Sequence, residues 1–155
     1  MRLYLVRHGE ARRENEDPTK PLSENGLADV RKIAAYLAEA DIVEIDCIMH
    51  SGKERAKQTA EILGQYLSPH IKVRECDGLQ PLDNPLTWAQ RLIEITENTM
   101  LVGHLPFLGK LASLLLSRDE FQHPILFDTA TIACLEHYEG TWSLVWLIPP
   151  DILFE

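Results

Sequence analysis

The chain has 155 residues, of which 45% are hydrophobic and 25% charged, so it has the makeup of a folded domain with a sizeable core rather than of a disordered segment. Its formal net charge of -9 speaks against a nucleic-acid or anionic-membrane binder, both of which need a basic surface, yet leaves room for a local arginine cluster around a small anion. No apolar run approaches about 18 residues, so no membrane span is expected, and "MRLYLV" is interrupted too soon to read as a secretory signal.

In chain order, "LYLV" (3–6) reads as a strand. "SENGLADVRKIAAYLAEA" (23–40) carries Leu27, Val30, Ile33, Ala34 and Leu37 at helical spacing, with Ser23 and Asn25 as candidate caps. "IDCIMH" (45–50) is a second strand. "KERAKQTAEILGQYL" (53–67) is a helix with Ala56, Thr59, Ala60, Leu63 and Leu67 on one face. "IKVRE" (71–75) is a short strand, and Gly78, Pro81 and Pro85 mark the loop that follows it. "LTWAQRLIEITE" (86–97) is helical, and "TMLVGH" (99–104) is a strand ending on a histidine. "PFLGKLASLLLS" (106–117) is helical, with Pro106 suited to a first helical position. "TIACLEHY" (131–138) and "TWSLVWLI" (142–149) form a closing hairpin around Glu139-Gly140. The polar stretch 14–21, broken by prolines, reads as a surface loop.

Strands that alternate with helices imply βαβ units. The expected fold is α/β: a three-layer sandwich whose mostly parallel central sheet has helices on both faces and a C-terminal antiparallel hairpin, in one domain over 1–155. Cys47, Cys76 and Cys134 are odd in number and lack C-x-x-C spacing, so buried free thiols and a cytoplasmic location are expected. His50, His70, His123 and His137 show no metal-ligand spacing, and no metal or cofactor is assigned. Trp88, Trp142 and Trp146 are read as packing residues.

In open parallel sheets, binding crevices form beyond the carboxyl ends of the strands. The first strand runs into Arg7-His8-Gly9, the second is followed by a helix that carries Arg55, and the fourth ends in Gly103-His104. A parallel sheet brings these ends to one edge, so two arginines and two histidines converge there. Arginine's planar fork suits a phosphoryl group, and helix N-termini add backbone donors. A neutral imidazole can carry the group covalently, while a second, protonated histidine can stabilise charge on its oxygens.

The residues that carry this chemistry also carry a resemblance. "LVRHGEA", "SGKERAKQTAEIL" and "LVGHLPFLGKL", in that order, resemble the histidine phosphatase superfamily, formerly the phosphoglycerate-mutase-like proteins. "KPLSENG" (20–26), Leu79-Gln80-Pro81 and "LFDTATIACLE" (126–136) are similar to its short, SixA-type phosphohistidine phosphatase branch, so the likeness spans nearly the whole chain. The resemblance implies a phosphorylated His8, with Arg7 and Arg55 on the phosphoryl oxygens and His104 completing the cluster. It implies that Gly9 allows close backbone approach and that its carbonyl orients the His8 ring. Lys20 stands where that branch has an arginine, keeping the charge without the bidentate fork. Thr129, Ala130 and Thr131 are expected at the pocket floor. Arg12 and Arg13 are either substrate-attracting or simply solvated.

Larger members of the superfamily insert a carboxylic acid that protonates an alkoxide leaving group. Here the span from Thr59 to Gly103 has room for one strand, one loop and one helix, with little for a lid. The loop in that span carries Glu75, Asp77 and Asp83, of which Asp77 and Asp83 are the candidates for that role. Phosphohistidine needs less help, because its leaving imidazole has a conjugate acid of pKa about 6.5. The expected function is therefore a metal-independent phosphatase acting on protein phosphohistidine. The resemblance suggests a histidine-containing phosphotransfer domain as partner. A small-molecule phosphomonoesterase and a non-catalytic phosphate-binding module are the alternatives.

Overall fold

The strand that opens the chain is apolar at every inner position, and both its faces are buried. The computed structural model describes residues 1–153. In β1 (Arg2–Arg7), Leu3 and Leu5 point to one core while Tyr4 and Val6 point to another. That continuous apolar run is what a strand covered on both faces requires. The same holds for β4 (Thr99–Gly103), buried at all positions, and for β2 (Cys47–His50), where Ile48 and Met49 enter opposite cores.

Among the described residues, six strands form one sheet in the order β3-β2-β4-β1-β5-β6, with β3 at Lys72–Glu75, β5 at Ile132–Tyr138 and β6 at Thr141–Ile148. The β3–β2, β2–β4 and β4–β1 pairs are parallel, and β1–β5 and β5–β6 are antiparallel. Helices α1 (Glu24–Ala40) and α2 (Glu54–Leu67) cover one face through Val30, Ile33, Leu37, Ala56, Ala60 and Leu63. Helices α3 (Pro85–Glu94) and α4 (Phe107–Ser117) cover the other through Trp88, Leu92, Phe107, Leu108 and Leu111. Each fully buried Val, Leu, Ile or Phe among these contributes about 1.5–3 kcal/mol by leaving water. The expected three-layer α/β sandwich with its antiparallel hairpin is thus the fold observed.

Local chemistry sets the boundaries. Ser23 caps α1 by accepting a hydrogen bond from the Gly26 N–H at 3.0 Å. The helix expected over 86–97 starts one residue earlier and ends three residues earlier, at Pro85–Glu94. Asn84 accepts from the Leu86 N–H and Pro85 takes the first turn, while Ile95 turns extended and packs against the core below α3. The β5–β6 turn has positive φ at both Glu139 (48°) and Gly140 (79°), the geometry that matches the twist of a two-residue hairpin. A 3-10 turn at Pro150–Ile152 was not anticipated.

All three cysteines are unpaired, with Cys134 buried and Cys47 and Cys76 only half-buried. Trp88 is a core residue, Trp142 stacks on His137, and Trp146 lies against Tyr4. Among the described residues, no helix is long and apolar enough to cross a membrane.

Candidate active site

Register brings the two histidines together. In the parallel β1–β4 pair, Arg7 is the partner of Gly103, so the next residues on each strand, His8 and His104, leave the sheet side by side. Their ring centroids are 5.0 Å apart with planes tilted by 53°. His50 pairs with Val102, which puts Ser51 at the level of Gly103 and within reach of His104.

The backbone under His8 is held from three directions. Its N–H donates to the Gly103 carbonyl at 3.1 Å. Its carbonyl and that of Arg7 both accept from the Ala130 N–H at 3.1 Å. Ala130 reaches them with φ at 61°, a left-handed conformation that costs an L-residue about 1–2 kcal/mol and is repaid by these contacts. Next in the chain, the Gly9 N–H donates to Thr59 Oγ1 at 3.1 Å, and Thr59 in turn donates to the Arg55 carbonyl at 2.8 Å. A side chain at Gly9 has no room: its Cβ would fall 2.8 Å from a Val30 methyl and 3.0 Å from the Gly26 carbonyl.

This close packing leaves the Gly9 carbonyl facing His8, whose Nδ1–H donates to it at 2.6 Å. The hydrogen bond fixes the tautomer. With the proton on Nδ1, Nε2 carries the free lone pair. Burial, then the charges of Arg55, Arg7 and Lys20, push the His8 pKa from 6.5 to about 4, against the raising effect of the Gly9 carbonyl. Burial, then His8, Arg55, Lys53 and Arg7, push His104 to about 3. The sequence offers a second, protonated histidine as a group that can stabilise charge; in the fold, burial and the nearby cations favour the neutral form of His104. Both rings are expected to stay unprotonated in an NMR titration from pH 8 to about 5. A His8 midpoint near 6.5 would contradict this electrostatic picture. The sign for stability follows. The unfolded chain takes up protons at these histidines below 6.5 while the folded chain does not, so their contribution is complete above 6.5 and declines as the pH falls toward 4.

Arg7 is half-buried beside His8. Its Nη1 donates to the Phe127 carbonyl at 2.8 Å, while its Nε is buried without a partner. Arg55 stands in the first turn of α2. Burial lowers the pKa of both, though a guanidinium of this kind remains charged. Among the described residues neither arginine has a carboxylate within salt-bridge distance. Two half-buried cations with no carboxylate in salt-bridge contact among the described residues, Arg7 feeling only the more distant charge of Asp128, make a site that an oxyanion completes.

The open pocket here has a volume of about 500 Å³, and Arg7, His8, Arg55, Lys20 and Thr129 are among its lining residues. Arg12 and Arg13 also line it, so they belong to the pocket rather than to a merely solvated loop. Ala130 and Thr131, expected on the floor, are buried behind it: they contribute the N–H just described and a carbonyl that accepts from Arg7 N at 3.1 Å. Asp77 is bound by both terminal nitrogens of Arg91, at 3.1 and 3.0 Å, which holds its carboxyl below the usual range. Asp83 accepts from the Gln80 N–H at 2.8 Å. Neither of these two acids lines the pocket; Glu10 and Glu14 do. No group of three or more His, Cys, Asp or Glu is arranged to hold a metal among the described residues.

Sequence reasoning assigned no task to Ser51, Gln58 or Thr59. Gln58 accepts from the Leu22 N–H at 2.7 Å, Thr59 holds Gly9, and Ser51 Oγ lies 2.6 Å from His104 Nε2. Their signal was present, since all three lie in the "SGKERAKQTAEIL" stretch that carries part of the family resemblance. Only the contacts reveal that the element ties Arg55 to both histidines. The arrangement can bind a tetrahedral oxyanion between two arginines and present a neutral ring nitrogen to its central atom.

Several known proteins are similar to this chain. Residues 3–98 match the model of the histidine phosphatase superfamily (branch 1). The phosphohistidine phosphatase SixA of Escherichia coli (strain K12) is 28% identical over 97% of this chain and 94% of its own. A structure of the protein histidine phosphatase SixA complexed with tungstate superposes with a TM-score of 0.86 at 27% identity, covering 98% of this chain and 99% of that one. The alpha-ribazole phosphatase of Shigella flexneri, at 19% identity, shares the fold with a TM-score of 0.79 over the full length of both chains.

Proposed function

The chain belongs to the histidine phosphatase superfamily (branch 1), and from that membership we propose that it hydrolyses phosphohistidine displayed on another protein, through a covalent phospho-His8 intermediate. The observation that carries the reading is the 2.6 Å hydrogen bond from His8 Nδ1 to the Gly9 carbonyl, which leaves Nε2 as the nucleophile beside Arg7 and Arg55.

In the first step Nε2 of His8 attacks phosphorus in line with the substrate's P–N bond. A P–N bond forms on His8 as the substrate's P–N bond breaks, and the bonding pair leaves with the substrate imidazole. That imidazole departs neutral because its ring was protonated beforehand. Arg7 and Arg55 hold the phosphoryl oxygens and offset charge that builds on them. In the second step water attacks the phosphorus on His8, releasing inorganic phosphate and restoring the ring.

Two features favour phosphohistidine as the substrate. The β3–α3 loop acids are engaged elsewhere, Asp77 by Arg91 and Asp83 by Gln80, so they are not free to protonate an alkoxide. The pocket is open and rimmed by Arg12, Arg13 and Lys20, which suits a histidine presented on a protein surface. The likeness to a phosphohistidine phosphatase supports a protein carrying phosphohistidine as the substrate, and a histidine-containing phosphotransfer domain is the partner proposed.

One observation favours a second reading. Glu14 lines the pocket and is the acid to which a small-molecule phosphomonoesterase would turn. Phosphate release from a phosphorylated phosphotransfer domain, set beside a panel of phosphate monoesters, separates the two. The expected result is a kcat/KM for the phosphodomain at least about tenfold above that for any monoester, a margin of about 1.4 kcal/mol. A preferred monoester whose turnover is lost in Glu14→Gln would overturn the phosphohistidine reading.

A further inference from the structure

The second histidine is as tightly controlled as the first, by a residue to which the chemistry above gives no part. Ser51 and His104 are both buried, 3% and 2% exposed, and Ser51 Oγ lies 2.6 Å from His104 Nε2. That contact has two proton arrangements. In one, the Ser51 hydroxyl donates to Nε2, and the neutral ring carries its proton on Nδ1. In the other, Nε2–H donates to Ser51, and Nδ1 is a bare acceptor.

The surroundings choose between them. Ser51 Oγ already accepts from the Lys53 N–H at 3.3 Å. Among the described residues, no carbonyl or carboxylate takes the Ser51 hydroxyl proton, so His104 Nε2 is its acceptor. The opposite arrangement would leave that buried hydroxyl proton unpaired, at a cost of about 1–3 kcal/mol. Nδ1 of His104 is buried and has no partner among the described residues. His104 is not itself among the residues lining the open pocket, but its ring centroid lies 5.0 Å from that of His8 and it feels the charges of Arg55 and Arg7, so a bare acceptor there would repel a phosphoryl group bound beside His8. As a donor it adds a hydrogen bond where Arg7 and Arg55 already supply charge.

We infer that Ser51 is a positioning residue whose hydroxyl donates to Nε2 of His104 and so places that ring's proton on Nδ1, as a donor to the substrate's phosphoryl oxygens. The two histidines then share one tautomer for opposite purposes. His8 spends its Nδ1 proton on the Gly9 carbonyl and offers a lone pair, whereas His104 spends its Nε2 lone pair on Ser51 and offers a proton. Ser51 is itself fixed from the neighbouring loop, since the Gln80 side-chain amide donates to its carbonyl at 2.7 Å. That gives Gln80, in the Leu79-Gln80-Pro81 stretch, a task in the site.

The inference rests on the phosphoryl-transfer reading of the site, but its first test does not. Side-chain NMR of isotope-labelled histidine, with His104→Asn identifying the resonance, reads the tautomer in the protein without substrate. The expected result is a proton on Nδ1 of His104 in the native chain and in Ser51→Thr, and a mixture of tautomers in Ser51→Ala. A proton fixed on Nε2 in the native chain would overturn the inference and leave the phosphatase reading intact. Turnover is the second readout. Ser51→Ala is expected to lose roughly 10- to 100-fold in kcat with KM changed less than about threefold, the scale of one hydrogen bond to a charged group. Ser51→Thr, which keeps the hydroxyl, should recover most of that loss. An unchanged kcat in Ser51→Ala, or a loss that Ser51→Thr does not recover, would also overturn it. If instead the native chain released no phosphate from any substrate, the phosphatase reading would fail while the tautomer result stood.

Discussion

His8→Ala is expected to lower phosphate release by at least about 10⁴-fold, close to the complete loss seen when an enzyme's nucleophile is removed. The expectation follows from how little else in the site can replace it. His104 is 5.0 Å away, but its Nε2 is engaged by Ser51 and its Nδ1 is the proposed proton carrier. Arg7 and Arg55 hold oxygens without offering a lone pair. Removing His8 therefore leaves an anion site without a nucleophile, which should still bind phosphate. That retained binding distinguishes the variant from one that has unfolded. It also separates an enzyme from a non-catalytic phosphate-binding module, in which His8→Ala would change little beyond affinity. Phosphate release within about tenfold of the native rate would show that another group, or water directly, attacks phosphorus.

Arg55→Ala is expected to cost roughly 10²–10³ in kcat/KM, the scale of losing one strong donor to a developing oxyanion. Arg55 has no carboxylate partner among the described residues, so its charge is not committed to holding the fold together. Its position is set by its own backbone, whose carbonyl accepts from Thr59 Oγ1 at 2.8 Å while that same Thr59 oxygen accepts from Gly9. The alanine variant keeps that backbone link, so the His8 loop should be undisturbed and thermal stability close to native. Arg55→Lys should recover part of the loss, because an ammonium restores charge without the planar fork. A loss below about threefold for Arg55→Ala would remove Arg55 from the phosphate site.

How much of this was legible in the sequence depended on whether a feature is local. The strands and helices were readable because apolar spacing is a local pattern. Even the convergence of Arg7, His8, Arg55 and His104 followed, since strand ends of a parallel sheet share an edge. The end of α3 was misjudged because Ile95 leaves the helix to pack against the core, a tertiary demand that outweighs helical propensity. The neutral form favoured for His104 was hidden for a similar reason: burial and three nearby cations are properties of the fold, and the sequence shows only a histidine. Ala130 looked like a pocket-floor residue, whereas its left-handed backbone turns its N–H toward the Arg7 and His8 carbonyls. Ser51 was the least visible. It lies 53 residues from His104, and only the β2–β4 register, with His50 opposite Val102, brings the two together.

The central claim is that His8 itself carries the phosphoryl group. Its most direct test is to mix the protein with a phosphorylated phosphotransfer domain, quench at alkaline pH where phosphohistidine persists, and locate the protein-bound phosphate by peptide mass spectrometry. The account predicts phosphate on the His8 ring, forming before inorganic phosphate appears and absent in His8→Ala. Phosphate release with no label on His8 at any time, or label on His104 in its place, would contradict it.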